Sequence, residues 1–144
     1  MIKVGVDCEK ISRFRRLPFD KTEHFYKRVF TPGEIEYCTS CREPYHRFAA
    51  RFAAKEATIK ALNGILRPYY KDIEIRKGKN GEPNIHINKN RFKEARFLNM
   101  LLSLSHSKSH AIAFVIVTDD MNQKESFTKA LKKVTPLAKK KFGR

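Results

Sequence analysis

The sequence has few cysteines, no long hydrophobic run and a shortage of acidic residues. Its three cysteines, Cys8, Cys38 and Cys41, are too few for a disulfide framework in 144 residues, and their odd number favours a reducing compartment. No apolar run approaches the roughly 20 residues that span a bilayer. The chain opens on Met1-Ile2-Lys3-Val4, without the charged and then apolar pattern of a signal peptide. We therefore expect a cytoplasmic protein with no membrane partner.

Two of the cysteines have the spacing of half a zinc site. Cys38 and Cys41 would need Cys8 and His46 to complete a tetrahedral set, because the chain has no second Cys-x-x-Cys and no His pair. The alternative interpretation is that both are small, half-buried residues near a helix end. We favour this second interpretation because it requires no further ligand.

The excess of positive charge is the strongest feature of the composition. The chain has 31 basic and 15 acidic residues, a net charge of +16, and residues 121–144 alone contribute +7. Such a balance implies anionic partners, which include nucleic acid, phosphorylated cofactors, anionic lipid and acidic proteins. With 41% hydrophobic residues the chain can bury one core. We expect one domain at 1–120, followed at 121–144 by a basic C-terminal extension that is a helix or a mobile tail interrupted at Pro136.

Local patterns predict helices in the first half of the chain. Residues 2–7 alternate as a strand that ends on Asp7, and basic helices interrupted at Pro18 should follow over 9–28. Residues 31–34 (Thr-Pro-Gly-Glu) have the pattern of a capped helix start, for a helix that runs to about Cys38. The longest helix is predicted over 45–63, where the spacing gives one buried side made of Phe48, Phe52, Ile59 and Leu62.

The second half of the chain predicts mainly strands. Residues 72–76 and 84–87 alternate on either side of Asn80-Gly81, which favours a two-residue hairpin turn. A short helix is expected over 88–97, followed by strands at 101–105 and 111–118, of which the second is apolar enough to be central. Helices followed by antiparallel strands indicate an α+β fold in which an antiparallel sheet packs against the long helix.

Three segments contain residue types suited to phosphate chemistry. Asp7, at the end of the first strand, could bind a hard cation or simply cap the next helix. Glu56 and Lys60 lie four residues apart on one alanine-rich helix face, as a metal carboxylate beside a phosphate-binding ammonium or as an ordinary ion pair. Hydroxyls, backbone amides and His106 follow one another over 103–107, where they suit phosphate oxygens unless His106 is only structural. Residues 79–83 by themselves predict a hairpin and nothing more.

These four segments together resemble the small bacterial-type holo-[acyl-carrier-protein] synthases of the 4'-phosphopantetheinyl transferase superfamily. The family pattern stands here as Gly5-Val6-Asp7 with Arg13, Arg51 to Ala61, Ile73 to Pro83, and Ser103 to His106. The order and spacing match over residues 1 to about 118. The resemblance implies transfer of 4'-phosphopantetheine from coenzyme A to a serine of an apo acyl carrier protein in fatty acid biosynthesis, with Mg²⁺ as cofactor and 3',5'-ADP as the second product.

The resemblance also implies roles for individual residues. Asp7 and Glu56 correspond to the magnesium ligands, and Lys60 corresponds to a catalytic residue that contacts the pyrophosphate of coenzyme A. Arg51 and His106 correspond to further coenzyme A contacts. Either Glu56 or a metal-bound water that it orients could take the serine proton.

A homotrimer with active sites between protomers is a further implication. In the family, the loop that matches Asn80, Gly81 and Pro83 approaches the nucleotide part of coenzyme A from the neighbouring subunit. Arg13, Arg16 and the basic helix around them match the surface that receives the acidic carrier protein. Glu82 departs from the pattern, because the family commonly has lysine there, and this change weakens an anion contact.

Two other functions are compatible with the composition. A net charge of +16 and eleven phenylalanines would suit a nucleic-acid-binding protein, but no helix-turn-helix, ribonucleoprotein or zinc-finger pattern is present, so we expect no specific nucleic-acid partner. A catalytically silent relative, or a transferase that acts on another carrier domain, is the other alternative. The presence of Asp7, Glu56 and Lys60 argues against silence.

Overall fold

The computed structural model describes residues 1–119, so the extension at 121–144, with its Pro136, lies outside them. In the first half of the chain one strand precedes four helices: β1 (Ile2–Lys10), α1 (Ile11–Arg15), α2 (Glu23–Val29), α3 (Pro32–Thr39) and α4 (Tyr45–Leu62). In the second half, 3₁₀ turns at Tyr70–Asp72 and Lys93–Phe97 alternate with the strands β2 (Ile73–Lys77), β3 (Pro83–Ile87), β4 (Asn99–His106) and β5 (His110–Thr118). No helix among these is long and apolar enough to cross a membrane.

The five strands form two antiparallel sheets instead of one. β5 lies between β1 and β4 in the first sheet, and β2 pairs with β3 in the second. The central position of β5 and the α+β class are therefore confirmed. β5 is apolar on both faces. Its inner face packs on α4, and its outer face carries further apolar side chains.

α4 approaches the three-stranded sheet unusually closely at Gly5. A Cβ atom at this position would lie 1.9 Å from the backbone oxygen of Ala57, so no residue other than glycine fits there. The neighbouring positions on both elements are also small, since Ala57, Ala61 and Ala113 are completely buried in the same cluster. This contact brings the inner face of β1 directly against α4, and Asp7 lies on that face two residues after Gly5.

A second core, which is mainly aromatic, packs α1, α2 and α3 against the first half of α4. Tyr26, Phe30 and Phe48 are fully buried, and the rings of Tyr26 and Phe48 lie 4.5 Å apart. Phe52 is also buried, which confirms the predicted inner side of the long helix. The capping box at the start of α3 is confirmed too, because Thr31 and Glu34 exchange hydrogen bonds.

An ion pair without solvent contact joins α3 to α4, and its further hydrogen bonds reach the second half of the chain. The Lys55 ammonium and the Glu34 carboxylate are 2.7 Å apart, and both side chains are 0% exposed. Lys55 also donates to three backbone carbonyls, and Glu34 accepts from the amide of Ile75 at 2.8 Å. The carbonyls belong to Val29, Tyr70 and Ile73. Burial lowers the pKa of Lys55, and the charge of Glu34 opposes that shift.

Three predicted boundaries were wrong. β1 continues to Lys10 because every residue from Ile2 to Lys10 pairs with a residue of β5, so Asp7 lies inside the strand and not at its end. The link between β2 and β3 contains five residues, 78–82, because the amide of Gly81 bonds to the carbonyl of Gly78 and shifts the tight turn one residue earlier. Only residues 93–97 of the predicted 88–97 helix are helical, as a 3₁₀ turn.

The two cysteines with zinc-like spacing lie at the end of α3. Cys38 is buried and Cys41 is partly buried, and the Cys41 thiol donates to the carbonyls of Cys38 and Glu43. Burial raises the pKa of Cys38 to about 12. These contacts are those of small side chains packed at a helix end.

Candidate active site

β1 and α4 place Asp7 and Lys60 against each other. The Lys60 ammonium donates to Asp7 Oδ1 at 2.8 Å and to the carbonyl of Val6 at 3.0 Å. The hydrogen bond that Lys60 donates to Asp7 raises the pKa of Lys60. Lys60 lies on the same helix face as Glu56, but its ion-pair partner is Asp7, so the interpretation of Glu56 and Lys60 as an ordinary intrahelical pair is wrong.

Glu56 has a different partner, which the sequence did not suggest. The hydroxyl of Tyr70 donates a hydrogen bond to Glu56 Oε1. Burial raises the pKa of Tyr70 to about 12, and the hydrogen bond and negative charge of Glu56 act in the same direction. Tyr70 therefore remains protonated and donates at neutral pH.

The two carboxylates have oxygen atoms without protein partners. Asp7 Oδ2 is buried and has no hydrogen-bond partner. Within residues 1–119, Glu56 Oε2 accepts no hydrogen bond either, since its carboxylate is bonded through Oε1 alone. Carboxylate oxygens are the ligands that Mg²⁺ prefers, and a buried carboxylate oxygen is costly without a partner. The donor set therefore fits a hard divalent cation held between β1 and α4.

A third carboxylate, Glu9, extends this acidic face. Residues two apart on a strand share a face, so Glu9 lies beside Asp7. Burial and the charge of Asp7 raise the pKa of Glu9, while Arg13, whose guanidinium lies 3.1 Å from the carboxylate, opposes the shift. Arg13 also lies over the ring of Phe52, at 5.2 Å from the centroid. Strand alternation identifies Glu9 only when β1 is known to continue beyond Asp7, where the predicted strand ended.

His106 lies at the same end of the three-stranded sheet. In the strand register Glu9 pairs with Ala111 and Ala111 pairs with His106, so Glu9 and His106 flank one position of β5 on one face. The His106 ring is 5.7 Å from the ring of His46, at the start of α4. These two histidines border a cavity of about 400 Å³, together with Ile11, Arg15, Glu43, Ser107 and Lys108. That volume suits a small organic ligand.

Arg51 also has an unpartnered donor that suits an anion, but it lies on another side of α4. It is only 7% exposed, its guanidinium lies 3.8 Å from the centroid of the Tyr37 ring, and its Nε is buried with no partner. Arg51 precedes Glu56 by five residues, which is about 140° around the helix. Within one protomer Arg51 therefore faces α3, away from the face that carries Glu56.

The β2–β3 loop makes its polar contacts elsewhere than at Asp7, Glu56 and Lys60. In the part of the chain that the structure describes, no hydrogen bond or ion pair connects residues 78–82 with these three side chains. Gly81 has φ +88°, a left-handed conformation that favours glycine. Glu82 accepts from the amide of Asn80 at 3.0 Å, so its carboxylate is turned into the loop. Within one described protomer, the loop that contains Asn80, Gly81 and Pro83 thus makes no polar contact with the carboxylates.

Arg13 and Arg16 occupy different environments on α1. Arg13 is bound to Glu9 and packs on Phe52 at the edge of the acidic face. Arg16 follows the last turn of α1 and is exposed. Four residues that contact the candidate site residues were not predicted from the sequence: Glu9, Tyr37, His46 and Tyr70.

Comparison with known proteins is consistent with this geometry. Residues 3–115 match the model of the 4'-phosphopantetheinyl transferase superfamily. The holo-[acyl-carrier-protein] synthase of Carboxydothermus hydrogenoformans is 41% identical over 123 residues, which cover 83% of this chain and 100% of that protein.

Two solved structures share the fold and contain a bound ligand. The holo-[acyl-carrier-protein] synthase of Helicobacter pylori, in complex with coenzyme A, superposes with a TM-score of 0.69 at 29% identity and covers 80% of this chain and 99% of that one. The holo-(acyl-carrier-protein) synthase of Bacillus anthracis, in complex with CoA (3',5'-ADP), gives a TM-score of 0.66 at 27% identity, over 80% and 94% of the two chains.

Proposed function

This chain belongs to the 4'-phosphopantetheinyl transferase superfamily, as an enzyme of the holo-[acyl-carrier-protein] synthase type, and from this premise we propose a Mg²⁺-dependent reaction. The 4'-phosphopantetheine group of coenzyme A moves to a serine of an apo acyl carrier protein, and 3',5'-ADP is released. The carrier would be one that serves fatty acid biosynthesis in the cytoplasm. The observation that carries the proposal is the pair of unpartnered carboxylate oxygens, on Asp7 and Glu56, beside the Lys60 ammonium.

Asp7 and Glu56 would hold the metal ion through these oxygens. Bound there, Mg²⁺ would neutralise charge on the pyrophosphate of coenzyme A. Lys60 is 51% exposed, so its ammonium can exchange Asp7 for a phosphate oxygen without losing much burial. It then stabilises the charge that develops on the leaving phosphate.

The transfer itself exchanges one phosphorus–oxygen bond for another. The serine oxygen of the carrier attacks the phosphorus that bears the pantetheine, and the bond from that phosphorus to the bridging oxygen of the pyrophosphate breaks. The electron pair leaves with 3',5'-ADP. The serine proton passes to Glu56, directly or through one water.

Arg51 and the loop at Asn80, Gly81 and Pro83 would complete the site from a neighbouring protomer. Within one protomer Arg51 packs on Tyr37 of α3, and among the described residues no hydrogen bond or ion pair joins the loop to Glu56. The unpartnered Nε of the Arg51 guanidinium suits a phosphate group of coenzyme A. His106 would contact coenzyme A from the same protomer as Asp7, because it shares a sheet face with Glu9.

The outer face of the three-stranded sheet supports a homotrimer. This outer face is apolar, and its large side chains are 41–62% exposed: Ile2, Val4, Val6, Ile112 and Phe114. A contiguous apolar surface of this kind marks an association site in soluble proteins. Three copies packed through the outer faces would cover it and place each α3 side next to another protomer.

We expect Phe114→Lys to dissociate the assembly, because it would bury three unpaired charges near the centre of the outer faces. Light scattering should report monomers, and transfer activity should fall by at least about tenfold because each site loses its second half. Phe97→Lys is the matched control: Phe97 is 76% exposed and lies in a 3₁₀ turn away from this face. A wild-type protein that is monomeric and active at nanomolar concentration would contradict the trimer.

Arg13 and Arg16 would receive the acidic carrier. Residues 10–28 contain seven basic and two acidic residues, so this surface attracts an acidic partner and its effect should weaken with salt. Replacing both arginines with glutamate should raise the KM for the carrier by about one to two orders of magnitude, while the KM for coenzyme A changes little. Deleting residues 121–144 removes a net charge of +7 and serves as the comparison. A larger loss of carrier binding from the deletion than from the reversal would place the docking surface elsewhere.

The Mg²⁺ dependence and the second product can be tested together. Wild-type protein, coenzyme A and an apo carrier are incubated with a metal chelator and then titrated with Mg²⁺, and nucleotides are separated by chromatography. We expect 3',5'-ADP to appear in proportion to the modified carrier, and only with metal. Transfer at an undiminished rate in the chelator, or a different nucleotide product, would contradict the proposal.

A further inference from the structure

Tyr70 has no part in the chemistry proposed above, yet its hydroxyl is bonded to a proposed metal ligand. Within residues 1–119 it is the hydrogen-bond partner of the Glu56 carboxylate. Lys60, one helical turn further along α4, is bonded to Asp7 and leaves Glu56 without an ion pair. The orientation of the Glu56 carboxylate therefore depends on Tyr70.

Three contacts fix Tyr70 in place. Its backbone carbonyl accepts from the buried Lys55 ammonium at 2.8 Å. Its ring stacks on the ring of Phe52, with centroids 5.5 Å apart and planes 28° apart. Its hydroxyl bonds to Glu56. The side chain of the adjacent Tyr69 is in a different environment: it is 68% exposed, and its ring lies against Arg91.

The hydrogen bond has a direct consequence for metal binding. With Oε1 held by Tyr70, Glu56 presents Oε2 alone to a cation. The last torsion of a glutamate is otherwise broad, and a glutamate four residues before a lysine on a helix readily pairs with it. Without the hydroxyl, Glu56 is free to turn toward Lys60 and to place its charge on the ammonium.

We propose that Tyr70 is a positioning residue that holds Glu56 in its metal-binding orientation. The inference rests on the proposed function, in which Glu56 binds the metal. Hydrogen-bond partners of metal ligands set the orientation of those ligands, and their loss lowers metal affinity by about 10–100-fold. Tyr70 thus tunes the concentration of Mg²⁺ that the enzyme requires, and the group transfer itself does not pass through it.

Tyr70→Phe tests this role because it removes one oxygen and keeps the ring that packs on Phe52. Binding of Mn²⁺ alone is measured by electron paramagnetic resonance, without coenzyme A or carrier, and the Kd should rise by about tenfold or more. In turnover the apparent KM for Mg²⁺ should rise similarly, and kcat at saturating Mg²⁺ should stay within about threefold of wild type. Tyr69→Phe, which removes the equivalent oxygen from the exposed neighbour, should bind Mn²⁺ like wild type.

Two further variants separate the possible failures. Tyr70→Leu removes the ring and the hydroxyl together. If Tyr70→Leu binds Mn²⁺ weakly while Tyr70→Phe binds it like wild type, the packing of the ring matters and the hydroxyl does not. That result would overturn the inference. Glu56→Gln should lose most Mn²⁺ binding. If it binds Mn²⁺ like wild type, the ligand assignment in the proposed function is wrong, whatever Tyr70→Phe does.

Discussion

Replacing Asp7 with Asn or Glu56 with Gln should lower kcat/KM for carrier modification by at least about 1,000-fold, equivalent to about 4 kcal/mol of transition-state stabilisation. Each change removes the negative charge from an oxygen that has no protein partner, and the pyrophosphate would then face Lys60 without the neutralising cation. The side-chain shape is kept, so the fold should be unchanged. Rates are measured at saturating coenzyme A in limiting and in excess Mg²⁺, with circular dichroism to confirm folding.

An exposed acidic residue outside the proposed docking surface is a suitable control for these variants. Glu94, in the second 3₁₀ turn, is exposed. Glu94→Gln should transfer at the wild-type rate. Normal turnover of Asp7→Asn or of Glu56→Gln in limiting Mg²⁺ would show that the metal ligands have been assigned wrongly.

The largest effect on stability is expected from Lys55→Met. This change leaves the Glu34 carboxylate buried without a counter-charge, and it removes the Lys55 hydrogen bond from three backbone carbonyls. Breaking a buried pair by removing one partner costs about 3–5 kcal/mol. The free energy of unfolding is obtained from urea denaturation. The double variant Lys55→Met/Glu34→Gln should recover part of the loss, because it removes the unpaired charge.

Lys60→Met is the matched comparison for this prediction, since Lys60 is five residues further along the same helix and also pairs with one carboxylate. Its side chain is 51% exposed, although that of Asp7 is only 12% exposed. Because water reaches the ammonium side of this pair, Lys60→Met should lower the unfolding free energy by less than Lys55→Met does, while it reduces activity. If the Lys55 and Lys60 variants prove equally stable, the buried pair does not hold α3 against α4.

The parts of the fold that depend on short-range patterns could be predicted from the sequence. The capping box at Thr31 and the start of α4 at Tyr45 follow from residues within a few positions of each other. The extent of β1 could not be predicted, because Lys10 joins the strand only through its pairing with His110, one hundred residues away. The position of the β2–β3 turn could not be predicted either, because Asn80-Gly81 is compatible with several turn types that differ in their backbone hydrogen bonds.

The same distinction applies to the site. Glu56 and Lys60 lie on one helix face by periodicity alone, and Asp7 was a candidate cation ligand from the strand pattern, to which the family pattern added the pairing with Glu56. The hydrogen bond from Tyr70 could not be predicted, because it depends on the path of an irregular segment, 63–69, and on the Lys55 bonds that anchor it. Arg51 was predicted as a contact to coenzyme A, but its position opposite Tyr37 and away from Glu56 follows only from the packing of α3 on α4.

The most direct measurement is the intact mass of a carrier protein after incubation with this enzyme. Apo acyl carrier protein is mixed with enzyme, coenzyme A and Mg²⁺, and then weighed by mass spectrometry beside reactions that lack one component or contain Glu56→Gln. The account predicts that the carrier gains the mass of one 4'-phosphopantetheine group in the complete reaction alone. An unchanged mass with several apo carriers, under conditions in which the enzyme is folded and assembled, would contradict it.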